Sequence, residues 1–297
     1  MFEITWGMPV VIYLFLAGLG AGSFCLGALT SRKSGPGWEY CSRVAFLLAP
    51  PAIAIGLLML ILDLGYKTRF WRVLTVLNPG SPMSVGVWLL CGFLFISILC
   101  AIFWLPVSAR RQIPWIGRLS IWNQEKWSRR FAIMGIPFAL GVSVYTGVLL
   151  SATVIPLWRN MSLPVLFFFS ALSLGIESGA VLGIASLNKG DGEAMKQPLR
   201  FLRRSNRVIL PLYLLAALLF VFSLAVSSHS KTAAYHLMTG WSGFAWWIGV
   251  IGLGIILPLV LVIRKEPMRY AWIFSSCLLL GDFLLRLVLV LEGQAAM

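Results

Sequence analysis

Eight long apolar runs constrain this chain more than any other feature of its sequence. They lie near residues 8–29, 44–65, 85–106, 131–152, 164–187, 208–227, 246–263 and 271–291. A run of about 20 apolar residues crosses the hydrocarbon core of a bilayer as an α-helix, because a helix satisfies every backbone N–H and C=O within the segment. The sequence therefore predicts an all-α integral membrane protein, with eight transmembrane helices in one polytopic membrane domain over residues 1–297.

The basic residues are distributed unevenly between the connections of these spans. Of 24 Lys and Arg residues, 18 fall in the connections that follow the odd-numbered spans and 5 in those that follow the even-numbered spans. Basic residues accumulate on the cytoplasmic side of membrane proteins. We therefore predict that the connections after the odd-numbered spans are cytoplasmic and that both termini lie outside. The net charge of +14 is then explained by the basic residues of the cytoplasmic connections, and we predict no nucleic-acid partner.

The histidines and cysteines argue against a metal centre within this chain. His229 and His236 both fall in the predicted outer connection 228–245, whereas a di-haem membrane anchor needs facing histidines inside the bundle. The 5 cysteines are scattered and contain no C-x-x-C motif, so they do not form a zinc or iron–sulfur pattern. We expect neither haem nor metal in this chain.

Four ionisable side chains lie within the predicted spans, namely Asp63, Glu177, Asp282 and Arg286. A charge at membrane depth is costly, so such residues usually face the bundle interior and are candidates for function, here for proton transfer. Asp282 and Arg286 are four residues apart on one helix face, so a structural ion pair and a functional role are both open. Glu177 has a structural alternative too, as a hydrogen-bonded residue at a tight helix contact.

Four side chains from different spans fall in one layer near the outer ends of the first four helices. Asp63 ends span 2 and Trp88 begins span 3, while Tyr145 lies roughly 10 Å below the outer end of span 4 at 1.5 Å per residue. Tyr13 of span 1 lies at a comparable level. An acid, two phenols and an indole suit a hydrophobic ligand with a polar, redox-active head. Ordinary interfacial aromatic residues would have the same depth, so depth does not decide between the two.

Motifs along nearly the whole chain resemble the NrfD/polysulfide reductase membrane-subunit (PsrC-like) family. They are Trp6 with Tyr13–Gly18, Gly20 and Gly22 in span 1; Leu62–Gly65; Asn78–Trp88; Tyr145–Leu150 with Pro156–Trp158; Leu163–Pro164 with Phe167–Ala171; and Gly281–Arg286. The glycine pattern alone is unspecific, since close helix packing in any membrane protein produces it. The loop motif before Trp88 and the Tyr-Thr-Gly run with its Pro-x-Trp are more specific.

The resemblance implies a haem-free subunit built of two four-helix bundles. Such subunits bind an exchangeable quinone, menaquinone or ubiquinone, near the outer surface of the bacterial or archaeal cytoplasmic membrane. They dock a ferredoxin-like iron–sulfur subunit there, which usually leads to a molybdenum or tungsten pterin catalytic subunit. The chain would therefore be the quinone-reactive subunit of an oxidoreductase complex, of the kind used in anaerobic respiration.

The resemblance also implies roles for residues of the outer layer. The quinone-contacting tyrosine of the family maps onto Tyr145, and a polar residue of span 1, which is His in some members, maps onto Tyr13. The family's acidic residue maps onto Asp63, and Trp88 completes the predicted quinone-binding set. Asp63 would exchange protons with solvent; alternatively it is a helix-end acid paired with Lys67. The predicted docking loop contains Asn78, Pro79, Ser81 and Pro82.

Three other functions remain open for the sequence, one of which couples quinone chemistry to proton movement through Glu177, Asp282 and Arg286. A proton or ion transporter without quinone chemistry would use Glu177, Asp282 and Arg286 as its relay. A passive anchor would only tether its partner, and a complex without a functional Tyr145 or Asp63 would still react with quinone.

Overall fold

The structure, a computed structural model, describes residues 6–63, 75, 78, 80–106, 124–187, 192–227, 231–264 and 271–295. These residues are predominantly helical and include no β-strand. Eight of their helices are long and apolar enough to span a membrane. The predicted all-α class and the number of spans are therefore confirmed.

The helices follow the predicted spans closely. They are α1 (Met8–Thr30), α2 (Pro36–Asp63), α3 (Pro82–Trp104), α4 (Gln124–Ser151), α5 (Leu163–Leu187), α6 (Gly192–Val226), the short α7 (Lys231–Met238), α8 (Gly240–Ile263) and α9 (Ala271–Ala295). The helices α2, α4 and α6 begin well before their apolar runs, at the end predicted to be cytoplasmic. Hydropathy locates only the part within the hydrocarbon core, whereas backbone hydrogen bonding continues the helix into the polar interface.

The long helices can be described as two groups of four, which are joined by extensive contacts of α1 and α4 with α5. In the first group α1 packs against α2 and α4, and α3 packs against α2 and α4. In the second group α5 packs against α6 and α9, and α8 packs mainly against α9. Large apolar side chains remain exposed on the outer surfaces, such as Phe95, Phe222 and Leu280. An exposed apolar surface on every side suits a bundle whose solvent is lipid.

Two glycines set the contact between the groups. A Cβ on Gly22 of α1 would lie 1.9 Å from the carbonyl oxygen of Ala171 in α5. A Cβ on Gly175 would lie 2.1 Å from the backbone of Gly22. Small residues allow backbones in a membrane to approach this closely. The glycine pattern of span 1 is thus explained at Gly22 by helix packing.

The helix α8 changes its winding along its length. Residues Ala245–Ile256 form a π-helix between the α-helical segments Gly240–Phe244 and Leu257–Ile263. Within it Gly254 lies against α9, where its Cβ would be 2.7 Å from Cα of Gly281. Long π-helical segments are rare, and π-helical turns are frequent near functional sites. This one contacts α9 one residue before Asp282.

Contacts of two tryptophans bring the first and last described segments together. Gln294 Nε2 donates a hydrogen bond to the carbonyl oxygen of Trp6 at 2.7 Å. Trp6 stacks on Trp158 with ring centroids 4.8 Å apart, and Trp158 Nε1 donates to the Leu289 carbonyl at 2.6 Å. Trp6 and Gln294 therefore lie at the same end of the bundle. That this is the outer end remains a prediction from the charge distribution.

Candidate functional site

Tyr13 is buried in α1, yet its hydroxyl group has no partner among the described residues. The side chain is 1% exposed and its Oη makes no hydrogen bond there. Gly56 of α2 packs beside the ring, where a Cβ would lie at an ordinary contact distance of 3.5 Å from Tyr13 Cδ2. A buried hydroxyl without a partner costs about 1–3 kcal/mol. This oxygen is therefore suited to bind a polar group of a ligand.

Tyr145 of α4 lies near Tyr13 and fits against α3 at Gly86. The side chain is buried, and α4 packs against α1, the helix that contains Tyr13. A Cβ on Gly86 would lie 1.6 Å from Cζ and 1.8 Å from Oη of Tyr145. Gly86 therefore sets the position of the Tyr145 hydroxyl. Gly86 belongs to the motif Asn78–Trp88, but its role could not be predicted from the sequence because it depends on how α3 is aligned with α4.

Asp63 ends α2 at the end of the bundle where α1 begins. It is partly exposed, and its Oδ1 lies 3.6 Å from the position that a Cβ on Gly7 would occupy. Tyr13 lies about 9 Å deeper along α1 at 1.5 Å per residue. The structure thus brings Asp63 to the same end of the first helix group as the two tyrosines. Lys67, the partner in the alternative interpretation of Asp63, lies outside the described residues.

Trp88 is placed apart from the two tyrosines. Its side chain is 47% exposed on the surface of α3. With 3.6 residues per turn, it lies on the opposite face of α3 from Gly86 and hence from Tyr145. The placement brings only the tyrosines and Asp63 of the predicted set together.

The loop before α3 presents a compact polar turn. Asn78 Oδ1 accepts a hydrogen bond from Gly80 N at 3.0 Å, and the Asn78 carbonyl accepts one from Ser81 N at 3.0 Å. Pro82 is the first residue of α3, where the absence of an N–H does no harm. Asn78 and Pro82 are exposed and Ser81 is partly exposed, so they are accessible to another molecule. Pro79 lies outside the described residues.

A second polar cluster lies deeper, between α5, α6 and α9. Asp282 Oδ1 accepts hydrogen bonds from Ser170 Oγ and Tyr213 Oη, both at 2.6 Å. Arg286 Nη1 lies 3.4 Å from the same oxygen and donates to the Asp282 carbonyl at 2.7 Å. The ion pair between Asp282 and Arg286, which the sequence left open as a structural role, is therefore present. It is part of a buried network of four side chains, which we call the upper tier: Ser170, Tyr213, Asp282 and Arg286.

Glu177 lies in a further group, which we call the lower tier: Glu177, Asn206 and Ser275. Asn206 Nδ2 donates to Oε1 of Glu177, and Ser275 Oγ donates to Oε2. Glu177 is 0% exposed. It is thus hydrogen-bonded at a helix contact, as the alternative interpretation expects. However, both partners are neutral, and no cationic side chain pairs with its carboxyl group among the described residues.

The two tiers are related by a simple spacing. On each of three helices, a residue of the upper tier and one of the lower tier are seven residues apart, which is about 10 Å at 1.5 Å per residue. The pairs are Ser170 and Glu177 on α5, Tyr213 and Asn206 on α6, and Asp282 and Ser275 on α9. The charged members were predicted from the sequence as candidates, whereas Ser170 appeared only within a family motif and Tyr213, Asn206 and Ser275 were missed. Their signal was this repeated spacing of polar residues in otherwise apolar spans.

Arg286 connects the upper tier to the first helix group. Its Nε donates to the carbonyl oxygen of Leu14 at 3.1 Å, and its Nη2 donates to Ser170 Oγ at 2.8 Å. Gly18 of α1 leaves space for the guanidinium, since a Cβ there would lie 2.8 Å from Nη2. Arg286 therefore contacts the backbone of α1 one residue after Tyr13.

Metal ligands are not assembled in the part of the chain that the structure describes. All 5 cysteines are free. Within the described residues, no group of three or more His, Cys, Asp or Glu side chains could hold a metal ion. His229 and the side chain of His236 lie outside the described residues.

Comparison with known proteins places the whole chain in one family. Residues 2–297 match the family described as Polysulphide reductase, NrfD. The chain is 30% identical to one of the chains of polysulfide reductase from Wolinella succinogenes, over 98% of this chain and 95% of that protein. It is 29% identical to protein NrfD of Escherichia coli, over 98% of this chain and 96% of that protein.

A third relative is named for a different substrate. The chain is 26% identical to one of the subunits of selenate reductase from Mesobacillus selenatarsenatis, over 98% of this chain and 74% of that protein. The match over nearly the whole chain agrees with the motifs of spans 1 to 5 and 8, and with eight apolar helices. This protein therefore belongs to the NrfD polysulphide reductase family, whose members include membrane subunits of reductase complexes.

Proposed function

We propose that this chain is the quinone-reactive membrane subunit of an oxidoreductase complex. It would hold an exchangeable menaquinone or ubiquinone near the outer ends of α1–α4 and exchange electrons between that quinone and an iron–sulfur partner. The observation that carries the proposal is the buried Tyr13 hydroxyl, which has no partner among the described residues and lies on α1, the helix against which the α4 helix of Tyr145 packs. A quinone ring carries oxygens that accept hydrogen bonds, so it would satisfy this hydroxyl.

The side chains near the predicted outer ends of α1–α4 would have separate roles. When bound, the quinone supplies reversible transfer of electrons and protons. Tyr145 would donate a hydrogen bond to one ring oxygen, from the position that Gly86 sets, and Tyr13 would donate a second hydrogen bond from its buried place in α1. Asp63 is partly exposed and can exchange protons with water, so it connects the site to the outer solution. Trp88 would contact only the apolar part of the ligand, from the exposed face of α3 that lies opposite Gly86.

Partners are proposed from the relatives and from the exposed loop. Two of the relatives are named as single components of reductases, which indicates that they work with other subunits. We place a ferredoxin-like iron–sulfur subunit over the loop with Asn78, Ser81 and Pro82, at the outer face. A molybdenum or tungsten pterin subunit would follow it. The complex would lie in the cytoplasmic membrane of a bacterium or archaeon, with the quinone site towards the outer side.

Removal of single hydroxyl groups tests the quinone site. In the purified complex, Tyr145→Phe and Tyr13→Phe should each lower kcat/KM for quinol or quinone about tenfold, because each loses one hydrogen bond of about 1.4 kcal/mol. Tyr40→Phe is the matched control, since Tyr40 lies at the other end of α2 from Asp63. It should leave quinone turnover unchanged.

The alternatives predict different results. A passive anchor predicts that both tyrosine variants keep full quinone turnover. A transporter without quinone chemistry predicts that the protein purified in mild detergent contains no extractable quinone and no iron–sulfur partner. Either result, with a complex shown to be intact, would contradict the proposed function.

A further inference from the structure

The two tiers contain an unbalanced buried charge. Asp282 and Glu177 are acids and Arg286 is the one base among the described residues of the two tiers, and all three are at most 1% exposed. With these three side chains ionised, the cluster would carry one negative charge inside the membrane. An uncompensated buried charge is expensive, and a carboxyl group in that situation takes up a proton instead. The cluster therefore needs one further positive charge.

Glu177 is the acid that lacks compensation. Asp282 has the Arg286 guanidinium at 3.4 Å and two hydroxyl donors on its Oδ1. Glu177 has only the neutral donors Asn206 and Ser275. The same Asn206 also carries an Oδ1 that accepts no hydrogen bond from the described residues. A protonated Glu177 would thus find an acceptor on a side chain that it already contacts.

Three buried oxygens without partners among the described residues are associated with the two tiers. They are Asp282 Oδ2, Asn206 Oδ1 and Ser173 Oγ. Ser173 lies between Ser170 and Glu177 along α5, and at 100° per residue these three lie within an arc of about 60°. Buried polar atoms without protein partners are usually satisfied by internal water. Two acceptors and one hydroxyl are the groups that such water needs.

We propose that Glu177 binds one proton in the membrane interior, and that water held by Ser173, Asn206 and Asp282 connects this proton to the upper tier. The site differs from the proposed quinone site and does not depend on it. A proton that leaves Glu177 passes to the adjacent water, and one proton arrives on Asp282 Oδ2 at the other end. The net charge of the cluster is the same before and after this transfer.

Infrared spectroscopy of the purified complex tests for the bound proton. A protonated carboxyl group has a C=O stretching band that is separate from carboxylate bands and that shifts in D₂O. We expect this band at neutral pH in the wild type and its loss in Glu177→Gln, which keeps the hydrogen-bond acceptor. Glu193→Gln is the matched control, because Glu193 is exposed and paired with Lys196. That variant should keep the band.

A second variant tests the water. Ser173→Ala should keep the Glu177 band but slow its shift after transfer into D₂O, because a water partner is lost. A wild-type spectrum from which Glu177→Gln removes no band would overturn the proposal. So would a band that disappears when sodium salt replaces potassium salt, since the bound cation would then be sodium. An unchanged exchange rate in Ser173→Ala would overturn the water connection, and quinone turnover plays no part in any of these outcomes.

Discussion

At the residue scale, the Tyr145 hydroxyl depends on the absence of a side chain at Gly86. A Cβ there would overlap the phenol at 1.6 Å from Cζ. We expect Gly86→Ala to displace the ring and to lower quinone kcat/KM at least as far as Tyr145→Phe, about tenfold for one lost hydrogen bond. The measurement is quinone-linked turnover of the purified complex.

Gly56→Ala is the control for this prediction. Gly56 also faces a tyrosine of the site, but its Cβ would lie 3.5 Å from Tyr13 Cδ2, an ordinary contact distance. Turnover should therefore remain near that of the wild type. Equal turnover in Gly86→Ala and Gly56→Ala would show that the position of Tyr145 does not limit the reaction.

The buried ion pair gives a second prediction at this scale. Asp282 and Arg286 are both inaccessible, and removal of one partner leaves a charge without compensation. We expect Arg286→Met to lower the free energy of unfolding by about 3–5 kcal/mol. The double variant Asp282→Leu with Arg286→Met should lose less than this single variant. Denaturation of the purified protein in mixed micelles measures both, and a double variant less stable than Arg286→Met would contradict the prediction.

At the element scale, α1 and α5 approach through Gly22 and Gly175. A Cβ on Gly22 would meet the Ala171 carbonyl at 1.9 Å, and backbone cannot move aside without separating the helices. We expect Gly22→Ala to lower the thermal unfolding midpoint or to prevent folding. The measurement is a thermal unfolding curve, in which the fraction of protein that remains monodisperse is recorded at each temperature.

Gly20→Ala provides a comparison within the same helix. Its Cβ would meet Cγ1 of Ile53 at 2.9 Å and the Ala49 carbonyl oxygen at 3.2 Å, so its overlap with backbone is much smaller than at Gly22. The midpoint should therefore fall less than in Gly22→Ala. A larger fall in Gly20→Ala would mean that the contact of α1 with α2 is more restrictive than its contact with α5.

At the scale of the whole molecule, the charge distribution and the Trp6–Gln294 contact make one joint prediction. The contact places both described ends at one face, and the charges place that face outside. We expect alkaline phosphatase fused to the C-terminus to be active and a fluorescent protein at the same place to be dark. Reporters fused within the connection after α1 should give the opposite pattern. Fluorescence from the C-terminal fusion would contradict the predicted orientation.

The sequence by itself determined the class, the eight spans and the family. The length of the apolar runs is enough to locate the spans, because in lipid each backbone N–H and C=O must form its hydrogen bond within its own helix. Local motifs also identified Tyr13, Tyr145 and Asp63 as candidates and drew attention to Glu177, Asp282 and Arg286 as costly buried charges. These conclusions need only the order of residues along one helix at a time.

Only the tertiary structure decided which of these residues meet. The contact of Gly86 with Tyr145, the exposed position of Trp88 and the meeting of α5, α6 and α9 at each tier all depend on how neighbouring helices are aligned. The π-helix in α8 is equally invisible to hydropathy, because its residues are as apolar in either winding. Alignment between helices results from packing of side chains and small residues across the interface, and hydropathy along one span carries no information about it.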